Sequence, residues 1–167
     1  MTPRKKTAAP EPDTGPARYF ARVVGIDMSL TSTGVAVLHR PNVAGEILKT
    51  IAYTTKVPND APLHLRRDRI TAMTTPFREL IGTMDLIVIE GAASGAVGGH
   101  VWDRAGAWWR IVGPALDVGI PVAVVNPSTR AKWATGNGRA DKAAVAAAMT
   151  RRMPDTVFNN SDEADAA

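Results

Sequence analysis

The residue pattern predicts an α/β fold: a five-stranded mixed sheet, three antiparallel strands followed by parallel ones, with helices on both faces. Two apolar runs, Val23-Val24-Gly25-Ile26 and Leu86-Ile87-Val88-Ile89, contain no polar side chain, as suits strands covered on both sides. Short strand-like segments fill the first third of the chain, and helical periods alternate with strands after it. The resulting order is βββαβαβα, with a last helix starting near Ser161. At 167 residues and 45% hydrophobic content, one domain with a sizeable core is expected.

The first strand is expected over Arg22 to Ile26 and the second over Gly34 to His39, with the small polar stretch Ser29 to Thr33 between them. Glu46 to Tyr53 is the third strand of the meander, after a turn marked by Pro41-Asn42 and Gly45. From Pro62 to Ile81, the residues Leu65, Ile70, Met73, Phe77, Leu80 and Ile81 recur near the helical period, and Pro76 should kink or divide that helix. Asp85 to Glu90 is the fourth strand. A glycine-rich loop, Gly91 to Gly99, leads to a helix over His100 to Val118 that carries Trp102, Trp108 and Trp109. Adjacent tryptophans cannot both lie on one helix face, so one of that pair is expected outside the core. The fifth strand is Pro121 to Val125. A helical stretch then follows Asn126-Pro127-Ser128-Thr129, breaks at Gly136-Asn137-Gly138, and resumes as an alanine-rich helix over about Ala140 to Met149.

Residues 1 to 20, rich in Pro, Ala, Lys and Arg, read as a disordered basic tail, which leaves the folded domain at 21 to 167. Only two residues follow Asp165, so the domain is either truncated at its C-terminus or closes on an unusually short helix. There is no cysteine, which excludes a disulfide framework and agrees with a cytoplasmic location, and no apolar run is long enough to span a bilayer. The net charge of +4 favours a polyanionic partner without identifying it.

The chemistry lies in four acids. Asp27 and Glu90 each end an apolar strand, while Asp162 and Asp165 are spaced to share one face of a helix. Carboxylates gathered in one pocket repel one another unless cations or protons sit among them. All-oxygen ligands without cysteine favour magnesium or manganese over zinc. Such a cluster reads as a site for metal-dependent cutting of nucleic acid. Read singly, Asp27 is also a turn former, Glu90 a strand-end charge and Asp162 a helix N-cap. Glu163, between two of the proposed ligands, should point elsewhere. Between Pro127 and Val157 the cations Arg130, Lys132, Arg139, Lys142, Arg151 and Arg152 are offset only by Asp141 and Asp155, which suits phosphate contacts of little sequence selectivity.

Three blocks, Val24-Gly25-Ile26-Asp27-Met28-Ser29-Leu30-Thr31-Ser32-Thr33-Gly34, Ile87-Val88-Ile89-Glu90-Gly91, and Asn126 to Val145 with the closing Ser161 to Ala166, resemble the RuvC-type Holliday-junction resolvases of the RNase H-like superfamily, especially their phage relatives. The resemblance runs from about Arg22 to the end of the chain. It implies an RNase H-like fold and a homodimer acting on branched DNA in the cytoplasm, that of the host if the chain is phage-encoded. It also implies phosphodiester hydrolysis with Asp27, Glu90, Asp162 and Asp165 holding two magnesium or manganese ions. Lys142, in a glycine-turn segment similar to the family's, would offset charge at the scissile phosphate, and Arg130, Lys132 and Arg139 would bind DNA. Lys132 is a second candidate for the charge-offsetting role; the family's adjacent basic pair is replaced here by Arg130-Ala131-Lys132, so that role falls to either neighbour. Ala92, Ala93 and Ser94 supply no aromatic wedge in the loop after Glu90, which weakens the expectation of strict four-way-junction preference. The tryptophan helix matches the family's dimerisation region.

Other readings remain open on these residues. Cleavage of flaps or forks would use the same metal chemistry. Gly25-Ile26-Asp27 with Ser29, Thr31, Thr33 and Gly34 is also similar to the phosphate-binding hairpin of actin and sugar-kinase ATPases, although those use two such domains. A catalytically silent nucleic-acid-binding module would follow if the late acids failed to approach the first two.

Overall fold

The computed structural model describes residues 20–39, 45–52, 56–58, 60–91 and 100–167, with backbone alone for 45–50 and 52. Residues 1–19 of the basic tail, the Pro41-Asn42 turn, Tyr53 and most of the glycine-rich loop lie outside the described residues. Five strands form one sheet: β1 (Arg22–Asp27), β2 (Ser32–His39), β3 (Gly45–Ala52), β4 (Leu86–Glu90) and β5 (Val122–Val125), in spatial order β3-β2-β1-β4-β5. The first three pair antiparallel, and β4 and β5 add in parallel beyond β1, as the sequence predicts.

Register decides what each face is for. Val24 pairs with Val37 and Ile87, and Ile26 with Val35 and Ile89, so bulky side chains line up in rows on one face. Those rows pack against Phe77 and Ile81 of α1 (Leu63–Ile81) and against Ile111, Val112 and Ala115 of α2 (Val101–Asp117). Each such burial is worth about 1.5–3 kcal/mol. Pro76 does not divide α1, which runs unbroken through it.

The opposite face is nearly bare of side chains at β1 and β2, where Gly25 lies opposite Ala36 and Asp27 opposite Gly34. The short α5 (Ser161–Ala166) lies directly on those positions: a methyl added at Gly25 would overlap the carbonyl of Ala166, and one at Gly34 the carbonyl of Asp162. Around α5, the helices α3 (Pro127–Thr135) and α4 (Lys142–Arg152) form a second core of small residues, Ala131, Ala134, Val145, Ala148, Met149 and Ala164. Helices thus cover both faces. Between α3, α4 and the β4 side of the sheet is a cavity of about 420 Å³, walled by Val88, Trp133, Val145 and Met149.

Helix ends follow local chemistry. Gly136 ends α3 with a φ of 84°, and its N–H caps the Lys132 carbonyl at 2.8 Å. Asp141 is the N-cap of α4, accepting from the Ala144 N–H at 2.8 Å, which moves the helix start to Lys142 rather than Ala140. No helix among the described residues is long and apolar enough to cross a membrane.

α1 and α2 are clamped by a buried ionic group. Asp103 accepts from Arg66 Nη2 at 2.6 Å and from Arg69 Nη2 at 2.8 Å, and His100 Nδ1 lies 3.2 Å away. The hydrogen bond from Arg66 is the main reason that the Asp103 carboxyl sits below its ordinary range. Asp103→Ala would leave the Arg69 guanidinium, 4% exposed, without its carboxylate. The expected loss is about 3–5 kcal/mol in urea unfolding, and a loss below about 1 kcal/mol would show the clamp to be dispensable.

Candidate active site

Parallel pairing of β1 with β4 sets Ile26 beside Ile89, so Asp27 and Glu90 emerge side by side at the C-terminal edge of the sheet. α5 brings the other two acids to the same edge. Its N-cap is Asn160, whose side chain accepts from the Glu163 N–H at 3.0 Å, and Glu163 turns away to accept from Asn159 N at 2.8 Å. Asp162 is therefore not the cap. Its Oδ2 accepts a short hydrogen bond from the Ser32 hydroxyl, while Asp165 is buried against the sheet.

Two cations knit the four acids together. Arg130 Nη1 donates to Glu90 Oε2 at 3.0 Å and stands 3.7 Å from Asp27 Oδ1, and its Nη2 lies 3.3 Å from Asp165 Oδ2. Lys142 Nζ reaches in from α4 to 3.4 Å from Asp162 Oδ1 and 3.9 Å from Asp165 Oδ2. The cations assigned to DNA from sequence thus divide. Arg130 and Lys142 join the carboxylates, whereas Lys132 and Arg139 are exposed on the surface beside them. Ala131 is buried in the small-residue core, so of the two cations flanking it, Arg130 is the one that reaches the site. Arg152 folds back over Trp133, its Cζ 4.6 Å from the ring centroid, and donates to the Trp133 and Ala134 carbonyls at the end of α3.

The sequence gives little hint of how Glu90 is held. Trp108 Nε1 donates to the Glu90 backbone carbonyl at 3.0 Å, fixing the end of β4 against α2. The adjacency of Trp108 and Trp109 signals that one ring must turn inward, though not to what. Trp108 does so, and Trp109 is exposed.

Burial is the largest influence on Asp27, Glu90 and Asp165, and it raises all three carboxyls above their ordinary values, with Arg130 and Lys142 opposing the rise. A carboxyl raised in the folded state favours folding most when protonated. Stability from these groups is full below the unfolded values near 3.8 and 4.5 and is lost as pH rises through the raised values. Asp103 has the opposite sign, contributing above 3.8 and losing its contribution as pH falls through its lowered value. In chelator, the melting temperature should therefore fall as pH rises from about 4.5 toward neutrality, and manganese should flatten the slope. Asp165→Asn should flatten it without metal, so an unchanged slope in that variant would contradict the assignment.

The donors suit a hard cation. They are all carboxylate oxygens, and Asp165, with its side chain 1% exposed, has no hydrogen bond on either oxygen. Among the described residues, however, no group of three or more His, Cys, Asp or Glu side chains is arranged to hold an ion as it stands. The Arg130 guanidinium contacts three of the four acids instead.

No family model matches the chain. The crossover junction endodeoxyribonuclease RuvC of Corynebacterium efficiens is 31% identical over 133 residues, covering 78% of this chain and 57% of the relative. The chain thus spans little more than half the length of that curated relative. The structure of Thermus thermophilus RuvC in complex with Holliday junction substrate superposes with a TM-score of 0.66 at 17% identity, over 87% of each chain. The yeast mitochondrial Holliday junction resolvase Ydc2 gives 0.58 at 14% identity, over 91% of this chain and 77% of that one. The protein has an RNase H-like fold. Over the matched region its sequence is similar to the RuvC proteins, in keeping with the order of its three sequence blocks.

Proposed function

We propose that the protein is a structure-selective DNA endonuclease that resolves Holliday junctions by metal-dependent phosphodiester hydrolysis, acting as a homodimer with magnesium or manganese, two ions per site. The observation that carries this reading is the meeting of Asp27, Glu90, Asp162 and Asp165 at one sheet edge, with the buried Asp165 carboxylate accepting no hydrogen bond. Bound there, divalent ions would supply an activated water and charge stabilisation at the leaving oxygen. Asp27 and Glu90, fixed on neighbouring strands, offer a rigid pair of oxygen ligands, and α5 presents Asp162 and Asp165 opposite them. Ser32 orients Asp162, and Trp108 holds the backbone of Glu90.

Lys142, 66% exposed at the rim, can turn from Asp162 to a phosphate oxygen as charge develops on it. Lys142→Ala should lower kcat about 10²-fold with a smaller change in junction affinity, and a pure affinity loss would make it an ordinary phosphate contact. Lys132 and Arg139, exposed on the same side, suit salt-sensitive contacts to the DNA backbone.

The homodimer is supported by α2, where Trp102, Trp109 and Leu116, spaced by seven residues, form one outward stripe at 85%, 59% and 52% exposure. A two-fold pair would present two sites to opposing strands. The Thermus protein's complex with a Holliday junction supports the four-way substrate. The deciding experiment compares products from labelled four-way, forked and flapped DNA with magnesium. Paired symmetric cuts on the four-way substrate are expected. Single cuts at any branch point would replace the resolvase with a general branched-DNA nuclease, and an absence of cutting would remove the enzyme reading.

A further inference from the structure

Arg130 occupies a place that hydrolysis by the carboxylates does not require. Its guanidinium touches Asp27, Glu90 and Asp165 at 3.7, 3.0 and 3.3 Å, yet it fits them poorly. Its Nε is buried without a hydrogen-bond partner, and so are both oxygens of Asp165. A guanidinium with a permanent structural role normally engages carboxylates through parallel, fully made hydrogen bonds, because a buried donor left unsatisfied is costly. Here Nη1 donates to Glu90 Oε2 at 3.0 Å and to the Asp165 backbone carbonyl at 3.4 Å, whereas Nε and the Asp165 carboxylate make no hydrogen bond, so the charge is matched and the hydrogen bonding only in part.

Arginine cannot relieve that mismatch by losing its proton. A divalent ion held by the same carboxylates would carry its charge beside the guanidinium and repel it. Guanidinium and ion therefore compete for the same oxygens, and each weakens the other's hold on them. The side chain has a way out, being 23% exposed on the first turn of α3. Lys142 is not an equivalent group, since it touches only Asp162 and Asp165 and does so from the rim.

We propose that Arg130 is a displaceable counter-ion, holding the carboxylates together while no metal is bound and leaving the pocket when metal enters. This rests on the metal-dependent reading above. Metal binding is then an exchange, and the metal affinity of the free protein is held down by the interactions that Arg130 must give up. Linkage makes the effect reciprocal: whatever draws Arg130 out of the pocket raises metal affinity by the same factor.

The test titrates manganese alone, without DNA, into the wild-type chain, Arg130→Gln, Arg130→Lys and Asp27→Asn, with free manganese followed by electron paramagnetic resonance. Arg130→Gln should bind manganese about tenfold more tightly than wild type, and Asp27→Asn more weakly. In chelator, Arg130→Gln should melt below wild type, and manganese should raise its melting temperature by more. Equal or weaker manganese binding by Arg130→Gln, with Asp27→Asn still weaker than wild type, would overturn the counter-ion role and leave the metal site standing. No difference between wild type and Asp27→Asn would remove the metal site itself, and the counter-ion with it. If Arg130→Gln fails to fold in chelator, recovery on adding manganese supports the proposal. Failure to recover, with Arg130→Lys binding no more tightly than wild type, overturns it.

Discussion

Asp27→Asn is expected to abolish cleavage, by at least about 10³-fold in kcat, while junction binding is kept or improved. Asp27 ends the central strand, stands beside Glu90, and is contacted by Arg130, so one isosteric change strips charge from the middle of the cluster without altering the backbone. The carboxyl is more than four-fifths shielded from solvent and already raised by burial, so a neutral amide is easily accommodated there. The folded state should be at least as stable as wild type in chelator. Binding should not suffer, because one fewer negative charge faces the phosphates. Gel-shift and single-turnover assays on the same four-way junction separate the two effects. Cutting at the wild-type rate would place the reactive centre elsewhere, and a parallel loss of binding would show that Asp27 organises the DNA surface instead.

How far this site could be foreseen depends on whether a residue's role is fixed by its own strand or helix. Asp27 and Glu90 were legible because an acid at the end of a doubly covered strand has few other places to be, and parallel pairing brings such ends together. Asp162 and Asp165 were legible from helical spacing, and the strand order from the distribution of apolar runs. Arg130 was legible only as one of two candidate cations flanking Ala131, because its reach to the acids depends on how α3 docks against the sheet, which local periodicity does not encode. The same holds for the Asp103 clamp, whose partners Arg66 and Arg69 belong to another helix. Pro76 shows the converse, where a local rule for breaking a helix yields to the packing of Met73, Phe77 and Ile81 on either side of it.

Gly34→Ala should cost about 10²-fold in cleavage although it touches no reacting group. Gly34 lies opposite Asp27 on β2, and the backbone of α5 crosses it so closely that an added methyl would overlap the Asp162 carbonyl. That obstacle is backbone, so it cannot rotate away as a side-chain tip would. α5 must lift by about 1 Å or more, carrying Asp162 and Asp165 away from Asp27 and Glu90, a displacement large enough for a loss of that size. The sheet is untouched, and the circular dichroism spectrum should stay close to wild type. Gly82→Ala is the control: that glycine ends α1 at a φ of −70° and has nothing within 4 Å of the added methyl, so activity should be unchanged. Manganese affinity should fall with activity in Gly34→Ala, since both need the two pairs of acids within reach of one another. Full activity in Gly34→Ala would mean that α5 does not supply ligands, and the site would then reduce to Asp27 and Glu90 on the sheet edge.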